Sequence, residues 1–321
     1  MDVRGTTAIR IGVSACLLGQ EVRFDGGHKR NDFLTDTLGE FVQFVPVCPE
    51  VDIGLGIPRE SLRLVRGGDG TVRMVANKSG ADLTETMRTY AERRVTALER
   101  EELSGYVLKK DSPSCGMERV RVYGFAGMPE RNGRGLFAEA LIRRLPNLPV
   151  EEEGRLNDPN LRENFIERVF AYHRMRGLFA TRWTVGALVA FHTAHKLTLM
   201  AHSPRSYAEL GRLVADSKRL ERADLCKRYA AEFMSALKKP ATPTRHVNVM
   251  QHIAGYLHDR CDKDSRSELL EVIEEYRRAT VPLVVPLTLI RHWVRRFDIT
   301  YLKGQTYLEP HPRELMLRNH V

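Results

Sequence analysis

Long apolar runs are missing from this chain of 321 residues. No stretch of about 18 or more apolar residues occurs, which excludes a membrane-spanning helix. Cysteine is scarce. Five in all make an odd, sparse set and argue against a disulfide framework. The opening Met1-Asp2-Val3-Arg4-Gly5 lacks the apolar core of a signal peptide. A cytoplasmic protein with no membrane partner is therefore the expectation. No internal repeat, low-complexity tract, H-E-x-x-H pattern or ATP-binding glycine loop is visible. An apolar fraction of 42% excludes a chain too polar to fold.

The net charge is +9, and it is uneven. Residues 1–150 carry 22 Lys+Arg against 20 Asp+Glu, and the remainder 28 against 21. Ten of the eleven histidines also lie beyond residue 150. A basic second half points to a polyanionic partner, nucleic acid being the usual one, or to a merely solvated basic surface.

Residues 1–150 alternate strand and helix signals. Short apolar runs at Arg10–Val13, Phe44–Val47 and Gly105–Leu108 read as buried strands. A helix is expected from about Asp32 to Phe41, burying Phe33, Leu34, Leu38 and Phe41. Leu62–Val75 reads as a hairpin turning at Gly67-Gly68-Asp69-Gly70. Asp82–Leu103 has helical periodicity, and a strand near Val120–Tyr123 and a helix near Leu136–Arg144 follow. The pattern predicts an α/β fold, a Rossmann-like domain with a mainly parallel sheet. Pro146–Gly154, with proline, glycine and an acidic run, reads as a boundary. Beyond Asp158 the periodicity is helical almost throughout, with helices expected over roughly Leu161–Phe179, Val185–Ala201, Ser206–Arg219, Ala223–Leu237, Arg245–His258, Ser265–Arg278 and Pro286–Phe297, so an all-α domain follows. Asp158-Pro159 and Ser203-Pro204 are expected to cap and start helices.

Three cysteines sit just after the three buried runs. They are Cys16 in Ser14-Ala15-Cys16-Leu17-Leu18-Gly19, Cys48 in Cys48-Pro49-Glu50, and Cys115 in Asp111-Ser112-Pro113-Ser114-Cys115-Gly116. Loops leaving the carboxyl ends of parallel strands converge on one crevice. Three thiolates and no fourth would leave a metal centre with one open position. Chemistry alone leaves zinc, an iron–sulfur cluster and a lone nucleophilic cysteine open. Glu50, two residues after Cys48, is expected to face the same centre along an extended loop. Its plainer alternative is an ion pair with Arg59 or a lysine. Ser112, three residues before Cys115, is expected either beside the centre or as a turn residue before Pro113. A carboxylate and a hydroxyl there suit water activation and proton transfer. Arg23, Lys29, Arg30, Arg59, Lys109 and Lys110 could collect phosphates around the crevice, partly offset by Asp25 and Asp111.

Cys226 and Cys261 read as inert buried residues. His192, His195, Lys196 and His202 read as a polar helix face or a phosphate contact, since no nearby acid completes a metal site. His246, His252 and His258, six apart, scatter around a helix.

These motifs carry a resemblance. Ser14–Gly19, Cys48-Pro49-Glu50, Pro58-Arg59 and Leu108–Gly116 resemble the thiouracil desulfidase (TudS) family over about residues 8–150. His192–Lys196, Leu199–Ser203, Asn248–Tyr256 and Pro282–Leu287 resemble the YbgA family. A chain joining both is similar to the tRNA 4-thiouridine desulfidases. The resemblance implies a [4Fe–4S] cluster held by Cys16, Cys48 and Cys115, with one iron not bound by protein, and catalytic roles for Glu50 and Ser112. It implies that residues 1–155 form a cluster-binding desulfidase domain and residues 156–321 a helical domain that binds tRNA. The implied reaction is non-redox conversion of 4-thiouridine in tRNA to uridine and hydrogen sulfide, with free thiouracil or thiouridine nucleotides as smaller candidate substrates. Two rival readings stay open at this point: insertion of sulfur into tRNA, and a non-catalytic zinc-containing RNA-binding module.

Overall fold

The structure is a computed structural model that describes residues 8–124, 128–180, 182–258 and 260–320. The opening Met1–Gly5 lies outside them. The chain divides into two compact units, Met1–Asn157 and Asp158–Val321.

The first unit is α/β. In chain order it contains β1 (Arg10–Ser14), β2 (Gln43–Val47), α1 (Pro49–Asp52), β3 (Leu62–Arg66), β4 (Val72–Ala76), α2 (Thr84–Arg100), β5 (Gly105–Leu108), β6 (Val120–Tyr123), β7 (Glu130–Gly133), α3 (Leu136–Arg144) and β8 (Val150–Glu152). One four-stranded sheet has the order β2-β1-β5-β8, and every pairing in it is parallel. All four residues of β5 are buried, as a central parallel strand requires. Tyr106 on β5 lies against Gly12 on β1, and a Cβ at Gly12 would come within 2.2 Å of its ring.

Three features differ from the sequence reading. First, the hairpin β3–β4 does not extend the parallel sheet. It founds a second sheet of order β4-β3-β6-β7, mixed in direction. Local patterning marks a strand but not the sheet it joins, because that depends on partners far away in sequence. Second, the expected boundary contributes β8, the edge strand of the parallel sheet. The acidic run is therefore structural: Glu151 and Glu152 are buried. Third, Asp32–Phe41 is not a regular helix. It winds as one wide turn, Phe33–Thr37, and one tight turn, Leu38–Glu40. Asn31 bonds the Leu34 N–H with its side chain, and ten residues are too few to propagate a helix without such local ties. Leu34 and Leu38 are buried as expected, whereas Phe33 and Phe41 are only half-buried.

The second unit is helical: α4 (Pro159–Ala180), α5 (Val185–Ala194), α6 (Lys196–His202), α7 (Pro204–Ala215), α8 (Arg222–Leu237), α9 (Pro243–Leu257), α10 (Lys263–Arg277), α11 (Val284–Arg296) and α12 (Thr300–Lys303). The expected caps form. Asp158 accepts from the N–H groups of Asn160 and Leu161, and Ser203 from that of Ser206. One expected helix, Val185–Ala201, is broken at His195 into α5 and α6. One apolar cluster gathers around Phe233, Tyr229 and Leu199, another around Met250, Ile290 and Trp293. No helix among the described residues is long and apolar enough to cross a membrane.

Candidate active site

The parallel sheet delivers its loops to one end. β1 runs into a tight turn, Ala15–Leu18, that carries Cys16. β2 ends at Cys48, the residue that precedes the one-turn helix α1. β5 feeds the loop that carries Ser112, Ser114 and Cys115. The three thiols line a common cavity of about 310 Å³, together with Glu50, Ser112, Ser14, Arg23, Lys29, Arg59, Lys109 and Lys110. Three segments, more than thirty residues apart from one to the next, thus meet as the sheet topology demands.

Glu50 faces this cavity for a reason other than the expected one. Its segment is helical, not extended, and Pro49 starts the turn. Asp52 at the end of the turn accepts a hydrogen bond from the Tyr90 hydroxyl of α2, which ties α1 to the core. Glu50 Oε2 lies 3.6 Å from Cys48 Sγ, and its Oε1 accepts a 2.6 Å bond from Ser114 Oγ. Arg59 forms no part of this contact: its guanidinium donates to the carbonyls of Val22 and Gly56.

Ser112 does both things the sequence allowed. Its Oγ accepts from the N–H groups of Ser114 and Cys115, closing the turn around Pro113. The same oxygen lies 2.9 Å from Ser114 Oγ. A continuous chain of polar atoms therefore runs Ser112–Ser114–Glu50. Ser114 is fully buried, and the sequence reading missed it. A serine beside proline looks like turn chemistry, and only the approach of Glu50, 64 residues away, reveals its second partner.

The loop that carries Cys115 is docked on the start of α3. The Pro113 carbonyl accepts from the Leu136 N–H, and the Ser114 carbonyl from those of Phe137 and Ala138. These are the amides a helix leaves without internal partners at its first turn. Gly135 permits the approach: a Cβ there would lie 2.4 Å from the Ser114 carbonyl carbon and oxygen. Two glutamates of the acidic run brace the same loops. Glu152 accepts from the Met117 N–H, and Glu153 from the Lys110 N–H and the Lys109 ammonium. The Lys109 N–H in turn donates to Ser14 Oγ, joining the ends of β5 and β1.

All five cysteines are free thiols. Burial pushes the Cys16 thiol up to about 11 and the Cys48 thiol up to about 12, and the Glu50 carboxylate adds to both. Cys115, more deeply buried, is likewise raised well above the ordinary thiol range. Among the described residues, no three side chains of His, Cys, Asp or Glu sit closely enough to hold one metal ion. Three thiols lining one cavity are a donor set that fits a polynuclear, thiolate-bound cofactor.

The cations around the cavity divide. Arg23, Lys29, Arg59, Lys109 and Lys110 line it. Arg30 does not; it is held by Asp36, Asp32 and Thr35. Lys109 is neutralised by Glu153, and Arg23 is 3.5 Å from Asp25.

Two of the residues expected on a polar helix face or at a phosphate depart from that role. His195 and His202 are 2% exposed, so they form neither a polar face nor a phosphate contact. His195 donates from Nδ1 to the Phe191 carbonyl and packs between Phe191 and Phe233. His192 stacks on Tyr207 and bonds the Tyr229 hydroxyl. His202 reaches the Lys239 carbonyl with Nδ1 and Glu167 with Nε2. Two acceptors require two donors, so the ring is an imidazolium. Its acid comes from α4, 35 residues upstream, which local spacing could not reveal. Arg318 completes the network, with Glu163 at 2.8 Å and Glu167 at 3.9 Å.

Comparison with known proteins matches the two halves separately. The 2-thiouracil desulfurase family model matches residues 11–153. A second family model, described as a protein of unknown function (DUF1722), matches residues 196–312. The uncharacterized protein YbgA of Escherichia coli (strain K12) is 35% identical over 158 residues, 49% of this chain and 94% of YbgA. The uncharacterized protein YbbK of Bacillus subtilis (strain 168) is 32% identical over 151 residues, 46% of this chain and 97% of YbbK. A solved structure titled [4Fe-4S]-dependent thiouracil desulfidase TudS is 36% identical, covering 47% of this chain and 94% of its own, with a TM-score of 0.39. With three cysteine loops on one parallel sheet and relatives matched over nearly their whole length, the chain belongs to the 2-thiouracil desulfurase family, fused to a domain of the YbgA type.

Proposed function

We propose that the chain removes sulfur from 4-thiouridine in tRNA, releasing uridine and hydrogen sulfide with no net oxidation or reduction. The family to which residues 11–153 belong supports a thiouracil-type base as the substrate class. The observation that carries the reading is the single cavity shared by Cys16, Cys48, Cys115, Glu50 and Ser112. Cys16, Cys48 and Cys115 would hold a [4Fe–4S] cluster with one iron not bound by protein. When bound, the cluster supplies a Lewis-acidic iron that polarises a thiocarbonyl.

The chain's own residues supply the proton chemistry. Water adds to the thiocarbonyl carbon, a C–O bond replaces the C–S bond, and sulfur leaves with two protons as hydrogen sulfide. Glu50 takes the proton of the attacking water. Ser114 fixes one carboxylate oxygen, which aims the other toward the thiols. Ser112, linked through Ser114, orients the water and relays its proton. A base reaches such a cavity only when unstacked, so the target nucleotide is extruded or already exposed. Residues 1–155 would perform the chemistry and residues 156–321 would hold the tRNA through charge and shape. The same cavity would also admit free thiouracil or thiouridine nucleotides.

The test is anaerobic. Cluster-reconstituted protein is mixed with tRNA that contains 4-thiouridine, and nucleosides are followed by mass spectrometry. Cluster-dependent conversion to uridine is expected. An intact cluster with no conversion would move the reading to another thiolated base or to sulfur insertion. Zinc in place of iron and acid-labile sulfide would move it to a structural module.

A further inference from the structure

The second sheet has one buried face and one exposed face, and the exposed face is written in arginine. Leu64, Met74 and Val122 are at most 2% exposed and point inward. Side chains alternate along a strand, so their neighbours point outward: Arg63 on β3, Arg73 on β4, and Arg121 and Tyr123 on β6, with Arg131 on β7. Each of the four strands contributes one exposed arginine. The register crowds them. Arg121 is the direct cross-strand partner of Arg131, and the pairing of Leu64 with Val122 brings Arg63 beside Arg121. Like charges placed opposite one another destabilise a sheet. The fold carries that cost on this face with little local compensation. Arg73 pairs with Asp69, and Arg131 lies 4.0 Å from Asp111. Among the described residues, Arg63 and Arg121 have no carboxylate within ion-pair distance.

Two further observations give the patch a chemistry. The guanidinium of Arg63 sits over the ring of Tyr123 at 5.5 Å, so a flat, half-buried aromatic lies among the cations. A groove of about 420 Å³ runs along this end of the sheet, lined by Arg63, Arg121, Tyr123, Asn77, Asp111 and Pro113. Asp111 and Pro113, with Leu62, line the catalytic cavity too. The groove therefore adjoins the place where the base would react. A cationic track beside a stacking ring is the recurring solution for single-stranded nucleic acid, in which phosphates meet arginine and bases stack on aromatics. Four-stranded sheets elsewhere use the same kind of open face for RNA.

We propose that the outer face of the second sheet, through Arg63, Arg121 and Tyr123, binds the single-stranded nucleotides that flank the base in the catalytic cavity. The inference rests on the desulfidase reading and deepens it: part of the RNA contact belongs to the catalytic unit itself. One phosphate would lie across Arg63 and Arg121, and one flanking base would stack on Tyr123.

The experiment uses full-length, cluster-loaded protein and a hexauridylate without any thiolated base, so its outcome does not depend on desulfidation. With one 5-iodouridine in the probe, irradiation is expected to attach it to Tyr123. Adducts confined to residues 158–321 would overturn the proposal. Replacing both charges, R63Q/R121Q, is expected to weaken binding about tenfold at physiological salt and to make the salt dependence shallower by about 1.4 in log–log slope. The charge-preserving R63K/R121K is expected to keep the wild-type slope. A matched loss of two exposed arginines on α2, R93Q/R100Q, is expected to bind within about twofold of wild type. Equal weakening by that control, or no weakening by R63Q/R121Q, would overturn the proposal. So would loss of binding to phosphatidylglycerol vesicles with RNA affinity intact, which would assign the face to lipid. Circular dichroism and iron content check that each variant is folded and loaded. Failure of 4-thiouridine conversion with the binding results as expected would remove the desulfidase reading and leave the RNA face standing.

Discussion

The two units handle polar groups in opposite ways. In the α/β unit they collect at strand ends around a cavity, where Cys16, Cys48, Cys115, Glu50 and Ser112 share one space. In the helical unit they are drawn inward, where Glu163, Glu167, His202 and Arg318 neutralise one another in the interior. Polar groups left facing a cavity remain available for chemistry. Those buried against each other are spent on holding helices in register. Almost all the histidine lies in the second unit, yet its two most deeply buried histidines, His195 and His202, serve packing and charge balance.

Mutation should split the units along this line. The largest effect is expected from Cys115→Ala, which should abolish cluster binding, read as loss of iron and of visible absorbance; full iron content would remove Cys115 from the ligand set. Glu50→Gln should keep the iron and lower turnover by about 10²–10⁴-fold. Turnover within a few-fold of wild type would take Glu50 out of proton transfer.

In the helical unit, Glu167→Ala strands buried cations and should cost about 3–5 kcal/mol in urea unfolding, with iron content unchanged. A cost under about 1 kcal/mol would mean that the network is not what holds the helices, since that is the range of an exposed ion pair.

A gentler probe is acid. Burial lowers His195 to about 3 and His246 to about 4, both from an ordinary 6.5. A histidine kept neutral in the fold takes up its proton only on unfolding, so stability falls as pH drops from about 6.5 toward 4. Burial opposes charge on both His202 and Glu167, but their mutual attraction outweighs it, raising His202 and lowering Glu167. The His202 contribution is complete below about 6.5 and fades as pH rises, so it does not offset the loss in acid. Amide protection, taken relative to the intrinsic exchange rate at pH 5, should therefore fall in residues 158–320 before residues 8–124; the reverse order would break the comparison.

The smallest expected effect is from Asp158→Ala, about 1 kcal/mol for a lost helix cap, visible as a small shift in the unfolding midpoint.

How much of this was legible depended on the range of the interaction. The strands before the three cysteines could be read because each is a short apolar run with its own signal. The helices from α7 to α11 fell close to their expected spans, since periodicity and caps are local. The second sheet was not legible, because pairing joins β3 to β6 across nearly sixty residues. Glu50 faces the cavity from a helical turn, where spacing alone suggests an extended loop. Ser114 was passed over because its partner is distant. The acidic run at 151–153 reads in the sequence as part of a boundary, because the amides and lysine it binds lie far away, in the cysteine loop.

The docking of that loop on α3 has a consequence for inheritance. Position 135 carries no side chain and is not among the residues that line the cavity. Any side chain there would still collide with the Ser114 carbonyl and push the adjoining thiol out of place. A single-nucleotide change from glycine to alanine, among the mildest that mutation offers, would thus disturb the cavity while leaving every side chain that lines it intact. In a lineage of such chains, position 135 is expected to drift as little as the cavity lining itself.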